Sequence, residues 1–125
     1  ARLKFVSVQV MCGSRGPQLA DLELEIDGTV HNVQARGDGP VDATFNAIKK
    51  LVPHTAQLQL YQVHAVTEGT DAQAKVTVRL AEEGKSVNGQ GADTDTLVAS
   101  ARAYIHALNK LLTKREKTAP AALTA

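Results

Sequence analysis

Apolar and polar residues alternate along the first third of the chain, then shift to helical spacing, and the sequence goes through this change twice. Between Leu3 and Met11, Val6, Val8 and Val10 alternate with Ser7 and Gln9, the period of a half-buried strand. Gly13-Ser14-Arg15-Gly16-Pro17 reads as a loop. Leu22, Leu24 and Ile26 then alternate with Glu23 and Glu25, which predicts a second strand with one wet face. Asp27-Gly28 is a hairpin signal, and Thr29 to Ala35 returns as a third strand. From Val41 the period lengthens. Val41, Phe45, Ile48 and Val52 fall on one helical face, and Pro53 stops the helix.

The second round begins at Leu58. Leu58 to Val66 reads as a strand, with Leu58 and Leu60 on one face and Tyr61, Val63 and Ala65 on the other. Thr67 to Asp71 is a turn, Ala72 to Leu80 is the return strand, and Glu82-Glu83-Gly84-Lys85 is another turn. Ser86 to Gly89 completes the set as a short strand. A helix from about Thr94 to Arg115 carries Val98, Ala101, Ile105, Leu108 and Leu112 on one stripe. Residues 118–125 show no pattern, and a frayed, disordered tail is expected there. The pattern predicts an α+β fold of two β-β-β-α modules, about 3–53 and 55–115. Antiparallel sheets have helices packed on one face. The other sheet face and the sheet edges need cover, and the small apolar residues on the strands point to a homodimer.

Composition narrows the function. A chain of 125 residues suits one domain. With 43% hydrophobic and 22% charged residues it is globular, and with 3% aromatics and no Trp its core is built from Val, Leu, Ile and Ala. A net charge of +1 provides no field for nucleic acid. The basic stretch from Lys110 to Lys117 suits the end of a helix. One cysteine, Cys12, leaves no internal disulfide and fits a reducing, cytoplasmic setting. No signal peptide and no membrane-length apolar run is present in the sequence. The chain starts Ala-Arg, so it is expected to be a piece of a longer protein.

Candidate chemistry gathers at Gly37-Asp38-Gly39-Pro40-Val41-Asp42-Ala43. Pro40 fits the first turn of a helix, and free N–H groups at a helix start favour an anionic group such as a carboxylate. The plain alternative is a strand-to-helix turn. If Gly39 takes φ > 0 or touches a ligand, a methyl group there strains the turn. Asn88-Gly89-Gln90-Gly91-Ala92-Asp93 repeats the Gly-x-Gly before the second helix, which suggests a duplicated unit. Asp93 and Asp95, with Thr94, read as helix caps rather than paired acids. His31, His54, His64 and His106 show no metal-ligand spacing, and Cys12 has no partner for nucleophilic catalysis. Tyr61 is either a core residue or a pocket wall. Ala65, Ala72 and Ala74 either pack closely or leave room for a ligand. No triad, acid/base pair or Walker loop is visible, so no catalytic residue and no metal site is expected.

These residues also carry a resemblance. Gly37-Asp38-Gly39-Pro40-Val41-Asp42-Ala43, Leu60-Tyr61, Thr67-Glu68-Gly69-Thr70-Asp71-Ala72-Gln73-Ala74, Gly89-Gln90-Gly91, Asp95, Ala99-Ser100 and Ala107-Leu108-Asn109 resemble the C-terminal regulatory domain of the 2-isopropylmalate synthases. Val8-Gln9-Val10 and Gly13-Ser14 fit as well, so the resemblance runs from about Leu3 to Leu112. Citramalate synthases share this domain. The resemblance implies a dimerising regulatory domain that binds leucine, or isoleucine in the citramalate enzymes, as a feedback inhibitor. The parent enzyme, an acyltransferase, condenses acetyl-CoA with a 2-oxo acid in a TIM barrel that uses a divalent metal. That catalytic barrel lies outside this chain, and no cofactor is expected in the domain itself. Carried over by residue, the effector site comprises Gly37, Asp38, Gly39 and Val41 at the glycine turn. Leu58, Tyr61 and Ala65 form the strand wall, Ala72 and Ala74 lie on the return strand, and Thr96 stands at the second helix start. Asp42 is left out, because some relatives have a small apolar residue there.

Overall fold

The computed structural model describes the backbone of residues 2–16, 18–68 and 71–124, with side chains for 2–16, 18–66 and 72–114. Its elements run β1 (Leu3–Met11), β2 (Gln18–Ile26), β3 (Thr29–Gly37), α1 (Pro40–Leu51), β4 (Gln57–Glu68), β5 (Asp71–Glu82), β6 (Lys85–Asp93) and α2 (Thr96–Thr124). Strands β1-β2-β3 form one antiparallel sheet and β4-β5-β6 a second. The predicted pair of β-β-β-α modules is therefore present. Both β2–β3 and β5–β6 turn through a residue pair with positive φ, Asp27-Gly28 at 50° and 88° and Glu83-Gly84 at 51° and 77°. That geometry matches the right-handed twist of paired strands. Part of the Thr67–Asp71 turn and Pro17 of the first loop lie outside the described residues.

Each helix covers its own sheet, α1 on β2 and β3 and α2 on β5 and β6, and α2 also reaches β1 and α1. One core results. Ala20, Leu22 and Leu24 of the first sheet and Val76, Val78 and Leu80 of the second belong to the same buried cluster as Ile48 and Leu108. The buried arc of α2 includes Ala99, Ser100, Ala103, Tyr104, Ala107 and Leu111 besides the predicted stripe. It is broader than one sheet requires because two sheets and a helix pack on it. At its far end α2 runs to Thr124, past Arg115 and through most of 118–125, where a disordered tail is expected from sequence.

Three further expectations change. Leu58 stands opposite Leu80, but a bulge between Leu58 and Leu60 sets Leu60 opposite Arg79. Leu58 thus shares the helix-side face with Tyr61, Val63 and Ala65, and Leu60 lies on the outer one, because an extra residue reverses the alternation. A second bulge, between Phe5 and Ser7, leaves Val6 44% exposed, so it does not continue the row of Val8 and Val10. Finally, Gly89 and Gly91 are not a turn. They lie inside β6, opposite Val78 and Val76.

Side chains bond part of the backbone at three of the sheet edges. Asn46 donates to the Arg36 carbonyl (2.9 Å) and Lys50 to that of Gln34 (3.1 Å), covering β3. Gln90 donates its N–H to His106 Nδ1 (2.9 Å) and Lys110 donates to the Asn88 carbonyl (2.7 Å), covering β6. On β1, Asn109 bonds both the N–H and the carbonyl of Leu3 at 2.8 Å. At these residues the cover occupies edge groups that would otherwise be open to another chain.

Candidate functional site

Tyr61 is the junction of the predicted site. Ser100 donates to the Thr96 carbonyl at 2.7 Å, so the Tyr61 phenol donates to Ser100 Oγ in their 2.7 Å hydrogen bond. The ring meets Phe45 of α1 edge-on, with centroids 5.8 Å apart. One side chain of β4 thereby touches both helices. Phe45 packs in turn on Tyr104 at 4.5 Å, and Tyr104 bonds His54 Nε2 at 2.8 Å. Burial lifts the Tyr104 phenol from its ordinary 10.0 to about 12, since the charged form is the one burial disfavours.

Beyond Tyr61 the helix-side face of the second sheet continues as small residues. Ala65 stands opposite Ala74, and Ala74 opposite Asp93. Ala72 follows on the same face. Ala65 and Ala72 are exposed and Ala74 is half-buried, so this wall is uncovered in a single chain. Thr96 is exposed one helical turn before Ser100, which puts it on the same side. Tyr61, Ala65 and Ala74 thus share one face of the second sheet, with Ala72 at its outer end, and the Thr96 carbonyl bonds Ser100, the partner of Tyr61.

Leu58 is elsewhere. It is 46% exposed and lines an open groove of about 460 Å³ with Asp42, Phe45, Lys49 and Tyr104. Its partner Leu80 is separated from Ala72 by roughly 25 Å along β5 at ~3.3 Å per residue, several times the length of an amino acid.

Gly37, Asp38, Gly39 and Val41 form the α1 start, one turn ahead of Phe45. Gly39 is the cap, with an extended φ of −151° and no side-chain acceptor on the helix N–H groups. A Cβ there would meet nothing within 4 Å, so a methyl group at Gly39 strains nothing. The close approach is at Gly37, where a Cβ would strike the backbone of Ala43 and come within 2.7 Å of Asp42 Oδ2. Asp42 Oδ2 accepts the Asp38 N–H at 2.9 Å. The α2 start differs, because Asp95 Oδ1 accepts the N–H groups of Leu97 (2.8 Å) and Val98 (3.4 Å). That agrees with the reading of Asp95 as a cap.

Two residues that hold this neighbourhood together were not singled out from the sequence as site candidates: Ser100, the acceptor for Tyr61, and Phe45, its packing partner. A lone serine inside the alanine-rich run Ala99-Ser100-Ala101 was the available signal for the first, and the structure buries it fully. Among the described residues no group of three or more His, Cys, Asp or Glu is placed to hold a metal ion, and no helix is long and apolar enough to cross a membrane.

The fold and this neighbourhood define a class: a duplicated β-β-β-α domain whose second sheet presents an open, small-residue wall next to a tyrosine tied to both helices. Comparison with known proteins makes it particular. The chain belongs to the LeuA allosteric (dimerisation) domain family, whose model matches residues 1–112. It is 57% identical over 121 residues to the 2-isopropylmalate synthase of Afipia carboxidovorans, covering 97% of this chain and 23% of that protein. Identity to the 2-isopropylmalate synthase of Bradyrhizobium sp. (strain ORS 278) is 60%, covering 93% and 22%. To that of Rhodopseudomonas palustris (strain BisA53) it is 59%, covering 97% and 24%. The chain therefore corresponds to the regulatory, dimerisation part of such enzymes and spans about a quarter of their length.

Proposed function

We propose that this chain is the leucine-binding feedback domain of a 2-isopropylmalate synthase, acting as a homodimer in the cytoplasm on a catalytic barrel in the same polypeptide. Bound leucine would inhibit the condensation of acetyl-CoA with 2-oxoisovalerate. The condensing groups and the divalent metal belong to that barrel, and this domain contributes regulation without chemistry of its own. The observation that carries the reading is the open wall of Ala65, Ala72 and Ala74 beside Tyr61, in a domain whose relatives are 2-isopropylmalate synthases.

A branched aliphatic side chain suits a shallow apolar slot lined by alanines. The leucine carboxylate suits the α1 start, where Gly39 offers no side-chain acceptor to the first-turn N–H groups. The effector shifts the enzyme toward one arrangement by binding that arrangement more tightly, and its differential affinity sets the size of the shift. Titration of the chain with leucine, isoleucine and valine by calorimetry tests the assignment. Leucine should bind most tightly. Preference for isoleucine would instead mark a citramalate-type domain, and no heat with any of the three would leave a dimerisation module without an effector.

A further inference from the structure

We infer that Asn109 couples the effector wall to β1, so that a movement of α2 on leucine binding is delivered to the backbone at Leu3, on the strand through which a preceding catalytic barrel is joined. The inference rests on the feedback reading proposed above, with the barrel ahead of this domain, and adds the side chain through which the signal leaves it.

Ala107-Leu108-Asn109 is among the motifs that carry the resemblance, and neither the effector wall nor the apolar core accounts for its asparagine. Asn109 belongs to the second module and reaches the first strand of the first module. Its Oδ1 accepts the Leu3 N–H and its Nδ2 donates to the Leu3 carbonyl, both at 2.8 Å. One side-chain amide thus pairs with one residue as a neighbouring strand does. β1 is an edge strand and Leu3 is buried, so a broken pair leaves two polar groups without solvent. About two turns earlier on the same side of α2, Arg102 lies over the Phe5 ring at 5.2 Å. That contact tolerates sliding, whereas the two hydrogen bonds at Leu3 are directional.

The opposite end of the same helix stands at the wall. Tyr61 donates to Ser100, and Ser100 lies about 14 Å from Asn109 along the axis at ~1.5 Å per residue. Between them Ala101, Ala103, Tyr104, Ile105, Ala107 and Leu108 are buried, and a close-packed stretch of this kind moves as one body. Helix shifts in allosteric transitions are about 1–2 Å. A 2.8 Å bond stretched by that amount is lost, so β1 either follows α2 or parts from it. The start of β1 has a second anchor. Asp27 Oδ1 accepts the Arg2 N–H at 2.7 Å, and the Arg2 carbonyl accepts the Asp27 N–H at 2.9 Å. These bonds stay within the first sheet and hold the strand end without linking it to α2.

The test uses the full-length synthase that carries this domain, with leucine binding read by calorimetry and feedback by kcat/KM at saturating leucine. Without leucine, Asn109→Ala should keep the wild-type kcat and KM. It should bind leucine at least as tightly as the wild type, because the work of moving β1 no longer opposes binding. The effect of saturating leucine on kcat/KM should fall from the ordinary coupling range of about 5- to 150-fold to below about twofold. A residue that only stabilised the pocket would do the reverse, with weaker binding and full inhibition at saturation. Asn109→Asp keeps the acceptor for the Leu3 N–H and loses the donor. It should show the same split to a smaller degree, and it carries the test where the alanine variant does not fold. Asp27→Gly suits the positive φ at that position and frees the strand end from the hairpin, and it should keep full inhibition. Full inhibition at saturating leucine in both Asn109 variants, or a loss in Asp27→Gly equal to that in Asn109→Ala, overturns the role of Asn109 alone. A wild type that binds no leucine overturns the feedback reading itself.

Discussion

The two modules share an order of elements, and their differences separate what holds the fold from what is left open. Superimposing the helix caps sets Gly39 with Asp95, Val33 with Gly89 and Ala35 with Gly91. In the first module the helix start is a bare glycine, and the strand beneath it carries side chains. In the second the start is closed by Asp95, and the strand is pared to glycine so that α2 lies almost on its backbone. A Cβ on Gly89 would land on the Ala103 carbonyl and the Ala107 amide, and one on Gly91 would come within 2.5 Å of the Ala99 carbonyl. The same residue type therefore has opposite uses. Glycine at 39 leaves backbone donors accessible, and glycine at 89 and 91 sets a packing distance. The edges differ in part: β1 is fastened to α2 at Leu3 through Asn109, while among the described residues no side chain bonds the outer edge of β4 between Tyr61 and Val66. The first helix start and the second sheet are where the molecule is unfinished, and the proposed effector belongs there.

The largest effect that would break this comparison is expected at Gly89. Gly89→Ala should lower stability by about 3 kcal/mol, because the atoms it strikes are helix backbone and cannot rotate away. On the first-module strand, Ala35→Gly at the position matched to Gly91 should cost only about 1 kcal/mol in backbone entropy. Urea unfolding of both variants reads the difference, and equal midpoints would mean that α2 has room to move.

Alkaline titration comes next in size and probes the contact between modules. Tyr104 of α2, stacked on Phe45 of α1, ionises near 12 when folded and near 10.0 when unfolded. Its protonated form is favoured in the fold, so the contribution of Tyr104 to stability is constant below pH 10 and is lost as pH rises from 10 toward 12, by about 2–3 kcal/mol. Tyr104→Phe should remove most of that slope. A slope unchanged in the variant would assign it to other groups.

Capping effects are smaller. Asp95→Ala should cost about 1 kcal/mol through loss of two amide partners, measured as a drop in thermal midpoint. Gly39→Ala should cost less, about 0.5 kcal/mol, from the poorer preference of alanine for a cap, since the cap is extended and its surroundings are empty. A large loss at Gly39 with none at Asp95 would reverse the assignment of open and closed helix starts.

Much of this was legible in the sequence. Alternation in Leu22, Leu24 and Ile26 and helical spacing in Val41, Phe45 and Ile48 are direct images of burial, and they located the modules. Misreadings arose where a local rule was overridden by packing. Gly89 and Gly91 look like a turn because glycine usually punctuates, but here they answer to a helix that passes close above them. The bulge after Leu58 exchanged the faces of two leucines, and nothing in a run of apolar residues marks where the extra residue falls. Tyr61 was legible as either core or wall. Only the structure shows that its hydroxyl is held by Ser100 while its ring reaches α1. The reach from Leu58 to Ala72 could not be judged from motif order, which carries no distances.

The central claim is that the small-residue wall of the second sheet receives the leucine side chain, and Ala72→Val tests it most directly. Ala72 is exposed, and valine suits a strand, so the fold should survive. Added volume in a fitted slot typically costs about 1–3 kcal/mol, which is roughly a five- to hundredfold loss of affinity. Calorimetry with leucine and isoleucine on the wild type and on Ala72→Val should show that loss, together with a changed ratio between the two amino acids. Equal affinities in the two proteins would contradict the account and remove the effector from this wall.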